Sequence, residues 1–222
     1  MNRRAFLASS AAGVAALCGA EGVSPTPPKR RCGFNFLNKF GWGRNEPFRE
    51  EDFALLAEWG FTFARLPLSY KNWTVGDGWK EFHEPTLKEL DDAVALGKKY
   101  GVHICMNFHR APGYCVGEPK EPFDLWKDAE ALEACAYHWA HFAKRYKGVP
   151  GAALSFDLVN EPAKVPREDY VRVVKALVEA IRAEDPAREI SADGLMYGRV
   201  PVPELVPLGI GQNAHAYDPM PV

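Results

Sequence analysis

The sequence has no excess of either charge: 27 Lys and Arg stand against 29 Asp and Glu, a net charge of -2. That balance removes the electrostatic case for a nucleic-acid partner. No stretch approaches 18 uninterrupted apolar residues, so no membrane span is expected. No Gly-x-Gly-x-x-Gly follows the first predicted strand, and a dinucleotide-binding fold loses its main signal. The five cysteines form no Cys-x-x-Cys pair and show no Cys/His ligand spacing. No metal site and no cofactor is expected. Cys32 and Cys115 sit in loop-like segments and are candidates for a disulfide. Cys105 falls in an apolar strand and Cys135 on the apolar face of a helix, so mostly free, buried thiols are the expected reading.

What is present is enough for one sizeable domain: 222 residues, 47% of them hydrophobic. Residues 1–20 are set apart from it. Arg3-Arg4-Ala5-Phe6-Leu7 precedes the weakly apolar run Ala8 to Leu17, and Cys18-Gly19-Ala20 follows with small residues. This is the pattern of an export signal of the twin-arginine type, with an ordinary secretory signal as the alternative. Export to the periplasm or beyond is the expected location. Residues 21–31 are Pro-rich and polar, end in Lys29-Arg30-Arg31 and read as a linker, leaving 32–222 as the folded domain.

Within that domain helices and strands alternate. Phe53, Leu56 and Ala57 mark a short helix closed by Gly60, and strand Phe61–Leu66 follows, stopped by Pro67. Leu87, Leu90 and Val94 recur at helical spacing up to Gly101, before strand Val102–Phe108. Leu132, Cys135, Trp139, Phe142 and Tyr146 form a second stripe, ended by Gly148. The apolar run Ala152–Val159 reads as a strand buried on both faces. Tyr170, Val174, Leu177 and Ile181 form the last stripe, and weaker strands are predicted near Glu189–Ala192 and Ile210–Ala214. With Gly33–Leu37 as the first, about six strands alternate with helices, which implies a parallel sheet. Polar residues gather at several strand exits: Asn38, Arg65, His109, Asn160, Glu161 and His215. A doubly wound sheet would concentrate its site at one switch point, whereas a barrel spreads it over many strand ends, so a barrel is preferred.

Asn160-Glu161-Pro162 is the most informative tripeptide. It places a carboxylate at the C-terminal tip of a buried strand, held rigidly yet facing a loop surface. Taken alone, these residues are equally well read as turn and cap residues. Lone histidines such as His109 and His215 are commonly structural, and Arg65 reads equally as a strand-end ion-pair partner. His103, His138 and His141 are read as structural or surface groups.

Together, Phe63-Ala64-Arg65-Leu66-Pro67, Asn107-Phe108-His109-Arg110, Leu158-Val159-Asn160-Glu161-Pro162 and His215-Ala216-Tyr217 resemble glycoside hydrolase family 5, the cellulase-like retaining glycosidases. The resemblance runs from about Gly33 to the last residue. It implies a (β/α)8 barrel and hydrolysis of a β-linked glucan or mannan with retention, without a cofactor. Retention requires two carboxyl groups roughly 5 Å apart. Glu161 matches the family's acid/base, whose raised pKa would come from partial burial and a neighbouring negative charge. Asn160 matches the residue that bonds the sugar 2-hydroxyl, and Arg65 the arginine that supports the nucleophile. His109 and His215 match histidines lining the sugar subsite, and Tyr217 the tyrosine that orients the nucleophile. Among aromatic residues in predicted loops, Trp42, Tyr114 and Trp126, with Trp73 and Trp79, are candidates to stack on sugar rings or to pack as core.

One departure matters. The family's nucleophile is a glutamate at the tip of the seventh strand, with a tryptophan after the eighth. Neither has a counterpart here, and Glu204, in a Pro-broken segment before the His-Ala-Tyr strand, does not match by order. An eight-unit barrel typically takes about 250 residues. The expectation is a barrel truncated after about the sixth strand, inactive by itself and with exposed first and sixth strands. A non-catalytic carbohydrate-binding barrel and a metal-dependent barrel hydrolase are the alternatives.

Overall fold

Alternation along the strands decides which way each side chain faces. Leu154-Ser155-Phe156-Asp157-Leu158 and Ile104-Cys105-Met106-Asn107-Phe108 both read apolar, polar, apolar, so period two sorts them onto opposite faces of one sheet. A computed structural model describes residues 30–41, 43–76 and 78–216. The export segment 1–20, most of the linker 21–31, and the candidates Trp42 and Tyr217 lie outside the described residues. Six parallel strands form the sheet: β1 (Gly33–Asn35), β2 (Phe63–Ser69), β3 (His103–Ala111), β5 (Leu154–Asp157), β6 (Glu189–Asp193) and β7 (Gly211–Asn213). They lie in the order β1-β2-β3-β5-β6-β7. The short β4 (Tyr114–Cys115) turns back antiparallel on the end of β3. Among the described residues β1 and β7 each pair on one side only. The sheet with its helices is a curled, open part of a (β/α)8 barrel.

Four helices connect the strands: α1 (Glu50–Glu58), α2 (Glu84–Tyr100), α3 (Ala129–Arg145) and α4 (Arg167–Glu184). Their stripes cover the apolar sheet face. Leu87 and Leu90 of α2, Trp139 and Phe142 of α3, and Val174 and Leu177 of α4 join Leu66, Ile104, Phe108, Leu154 and Phe156 in one buried core. Trp139 stacks on Phe108 with ring centres 3.8 Å apart. Gly101 ends α2 in the left-handed conformation (φ 68°), as a C-terminal glycine stop should. At the opposite, N-terminal end of the strands, buried Arg188 donates to the carbonyls of Tyr146, Val149 and Leu154 and pairs with Asp185, closing backbone groups that loops leave open.

The run before Glu161 is buried on both faces, as expected: Leu154 and Phe156 meet the helices, and Ser155 and Asp157 face the barrel interior with Arg65 and Asn213. One expectation is corrected: Pro67 does not stop β2, which continues to Ser69. Arg65 and Ser69 point their backbone groups toward the β1 side, where Phe36 N–H reaches the Arg65 carbonyl and the Ser69 N–H reaches the Lys39 carbonyl. Pro67 lies between them with the same orientation, beyond the last paired residue of β1, where no donor is required.

Gly97 sits inside α2 at the closest helix–sheet approach. A Cβ there would lie 2.6 Å from the Ile104 side chain and 2.8 Å from the Val102 carbonyl oxygen. Gly97→Ala, which raises helix propensity, should therefore destabilise the fold, by about 1–3 kcal/mol from overpacking. A urea unfolding midpoint equal to or above that of the parent protein would contradict this packing.

Candidate active site

Parallel strands deliver all their C-terminal ends to one side, and there the interior face becomes charged. Arg65 of β2 donates from Nε and Nη2 to Asp157 Oδ2 at 3.1 and 3.0 Å, and from Nη2 to Asn160 Oδ1 at 2.9 Å. Asn213 of β7 reaches Asp157 Oδ1 at 2.9 Å and Asp193 Oδ1 at 3.1 Å through its Nδ2. Asp193, at the end of β6, receives the Glu161 backbone N–H at 2.8 Å and His215 Nε2 at 3.1 Å on Oδ2. The other ring nitrogen, His215 Nδ1, lies 2.8 Å from Glu161 Oε1. Arg65, Asn160, Glu161 and His215, distant in the chain, therefore share one connected network.

Glu161 itself adopts a left-handed backbone (φ 51°), rare for a residue with a Cβ. Such a conformation costs on the order of 1–3 kcal/mol and persists where neighbours over-determine it. Here the N–H is held by Asp193, and the carbonyl accepts from the Tyr114 hydroxyl at 2.7 Å. That hydroxyl also accepts from the Ala163 N–H at 3.0 Å, so Tyr114 clips the whole Glu161–Ala163 turn.

The network has three carboxylates and two cations, and the titrations follow from that imbalance. Burial first, and the Asp193 charge second, push Asp157 up to about 7 against the pull of Arg65. Burial opposes the Arg65 charge, but Asp157 and Asp193 outweigh it and the pKa is raised. Hydrogen bonds to Asp193 and then Glu161 raise His215 to about 9, so the ring is an imidazolium at neutral pH. Burial, then the Arg65 charge, depress His109 to about 4 and keep it neutral.

Two grooves flank this network. One, of roughly 520 Å³, is lined by Leu37, Phe40, Arg44, His109 and Glu118. The Phe40 and His109 rings lie 4.2 Å apart at its wall. The other, of roughly 420 Å³, is lined by Tyr114, Lys120, Asp124, Ala163 and Val165. Both reach Cys115, so they meet at the β4 turn.

Both nitrogens of His215 meet carboxylates, because β6 and the Glu161 turn close around the ring. Of the rings read either as stacking on sugar or as packing in the core, most are packed. Trp126 is 6% exposed, between Tyr114 and Tyr170, and Trp73 is fully buried. Trp73 donates to His138 Nδ1 at 3.1 Å, while Trp79 packs on Phe123. Arg110, the last residue of the matching stretch Asn107-Phe108-His109-Arg110, forms a buried pair with Glu121 away from the network. Glu204 pairs with Arg167 at 3.0 Å on the surface. The four described cysteines are free. Asp157, Asp193 and Asn213 were missed altogether. The signal for Asp157 and Asp193 was a polar residue every second position in their strands; Asn213, in Gly211-Gln212-Asn213, had no such signal. Among the described residues no three His, Cys, Asp or Glu side chains are grouped to hold a metal ion. No helix among them is long and apolar enough to cross a membrane.

Replacing Arg65 with Met would leave Asp157 buried without its guanidinium. The expected loss is about 3–5 kcal/mol of unfolding free energy, read by denaturant titration at pH 7.5. A loss under 1 kcal/mol would mean the pair is not holding the interior together. His215 supplies a pH signature. Its raised pKa gives stability that is complete below pH 6.5 and disappears as pH rises through about 9. The thermal midpoint of the parent protein should therefore fall more steeply than that of His215→Gln over that interval.

Comparison with known proteins agrees with this architecture. Residues 25–220 match the family described as cellulase (glycosyl hydrolase family 5). An endoglucanase C of Acetivibrio thermocellus is 31% identical over 148 residues, covering 67% of this chain and 41% of that protein. Cellodextrinase A of Ruminococcus flavefaciens is 31% identical over 115 residues, covering 51% of this chain and 33% of that protein. A crystal structure of a glycoside hydrolase superposes with a TM-score of 0.82 at 38% identity, covering 86% of this chain and 62% of that one. Endoglucanase Cel5A of Thermotoga maritima shares the fold, with a TM-score of 0.63 at 21% identity, 77% of this chain and 53% of that one. The chain spans less than half the length of these curated relatives. With a family match over nearly all of the folded domain, the chain belongs to glycosyl hydrolase family 5.

Proposed function

We propose that this domain takes part in hydrolysis of a β-linked glucan or mannan with retention, and that Glu161 is the acid/base. The observation that carries this reading is the backbone of Glu161. Its left-handed conformation is held at both peptide groups, by Asp193 and by Tyr114, on the face where six strands end. A proton donor must be fixed relative to the bond it serves, and a rigid scaffold with a strained tip supplies that. Asn160 Nδ2 is buried and has no partner among the described residues, which suits a hydrogen bond to a sugar hydroxyl. The endoglucanase and cellodextrinase relatives support a β-glucan as substrate. The two grooves meeting at β4 give sugar units on either side of the scissile bond a place to lie.

The nucleophile belongs to this reading as well. The carboxylates that share this network with Glu161 are Asp157 and Asp193, 1% and 0% exposed and each held by more than one donor. Neither can attack a sugar carbon. The second carboxyl group of a double displacement is therefore assigned to a further strand–helix segment, in the same polypeptide or another. The N-terminal export signal completes the proposal, placing the enzyme outside the cytoplasm with its polymeric substrate.

The experiment is a comparison of leaving groups, made with this domain together with any coding sequence that follows Val222. Glu161→Gln should lower kcat/KM, which reports departure of the leaving group, about 10²–10⁴-fold on cello-oligosaccharides, the usual worth of a positioned acid. The loss should be much smaller on a dinitrophenyl glycoside, whose leaving group needs no proton. Equal losses on both substrates, or none, would remove Glu161 from the acid/base role. Sugar binding without cleavage by the parent protein would favour a carbohydrate-binding barrel instead.

A further inference from the structure

We propose that Asp193 is the positioning residue of this site: one buried carboxylate sets both where the Glu161 backbone stands and which nitrogen of His215 faces the Glu161 side chain. Asp193 is fully buried on a strand end, and both its carboxylate oxygens and its carbonyl accept hydrogen bonds. Oδ2 receives the Glu161 N–H and His215 Nε2, Oδ1 receives Asn213 Nδ2, and the carbonyl receives the Tyr170 hydroxyl. The His215 ring is packed against a wall on one side. Its backbone N–H donates to the Gly198 carbonyl at 3.1 Å, and a Cβ on Gly198 (φ 81°) would lie 2.8 Å from the ring. Met196, Tyr197 and Gly198 all take positive φ to make that wall.

A carboxylate in this position accepts only, so Nε2 must carry a proton. When His215 is charged, Nδ1 also donates to Glu161 Oε1. When His215 is neutral, Asp193 keeps the remaining proton on Nε2 and Nδ1 becomes an acceptor. The contact to Glu161 then survives only if Glu161 holds a proton. Asp193 thus ensures that the Glu161–His215 contact contains one proton, on the ring or on the carboxyl, wherever the contact exists. Other charged groups facing this pair are Asp157 from β5, Arg65 from β2 and the neutral His109 from β3. The use of that proton for a glycosidic oxygen rests on the acid/base reading above. The arrangement itself does not.

The test reads His215 directly by ¹⁵N-detected NMR on the 222-residue chain, without substrate. In the parent protein both ring nitrogens should be protonated at pH 7.5, with a midpoint near 9. Asp193→Asn keeps the shape but turns one acceptor oxygen into a donor, so Glu161 N–H, His215 and Asn213 cannot all be satisfied. Its His215 midpoint should move down toward 6.5, and the neutral ring should lose its single Nε2–H form. A native-like Asp193→Asn protein titrating at the parent midpoint would overturn the proposal. If that variant does not fold, the parent decides: a neutral ring carrying its proton on Nδ1 overturns the proposal, and a ring protonated at Nε2, alone or together with Nδ1, supports it. Because no turnover is measured, a failure here is separate from a failure of the glycosidase reading.

Discussion

Two carboxylates, Asp157 and Asp193, stand on adjacent strands inside the sheet, and the site is arranged around keeping them there. Buried negative charges repel one another and are costly to desolvate, so each needs a cation and a set of donors. Arg65 crosses from β2 to neutralise Asp157, and His215 crosses from beyond β7 to neutralise Asp193. Asn213 joins the two carboxylates through one amide. Remove either cation and a buried carboxylate loses its counter-charge. The same bonds that settle the charges also fix Glu161 and Asn160.

Structure and chemistry are thereby coupled through a few atoms. The Glu161 N–H is both the backbone donor that satisfies Asp193 and the anchor that permits its left-handed turn. Arg65 is both the counter-ion of Asp157 and the donor that orients the Asn160 carboxamide. A site built in this way tolerates little substitution, because each residue answers to two demands. It is also insulated from the helices, whose aromatic packing around Trp139 and Phe108 lies on the opposite face of the sheet.

The barrel was legible because its signals are local. Leu87, Leu90 and Val94 repeat at the helical period, Gly101 carries the positive φ of a helix stop, and the apolar runs fall between them. The candidate site was legible only in part. Asn160, Glu161, Arg65 and His215 stood out through tripeptides at strand ends, and the fold gathers all four. Asp157 escaped notice because Leu154-Ser155-Phe156-Asp157 looks apolar as a whole. Its polar half becomes visible once one face is assigned to the barrel interior. For Trp73 and Trp126 the sequence left stacking and packing open, and loops that fold over helix ends bury their rings.

The sequence by itself determined the elements, their parallel arrangement and the strand end at which Asn160 and Glu161 stand, since periodicity and residue chemistry are carried by neighbours along the chain. Only the tertiary structure decided how Glu161 is held. Asp193 lies 32 positions from Glu161 and His215 lies 54, and hydrogen bonds of 2.8 Å between them arise from strand order and twist. A one-dimensional pattern contains no term for a contact that exists only when separate strands end side by side.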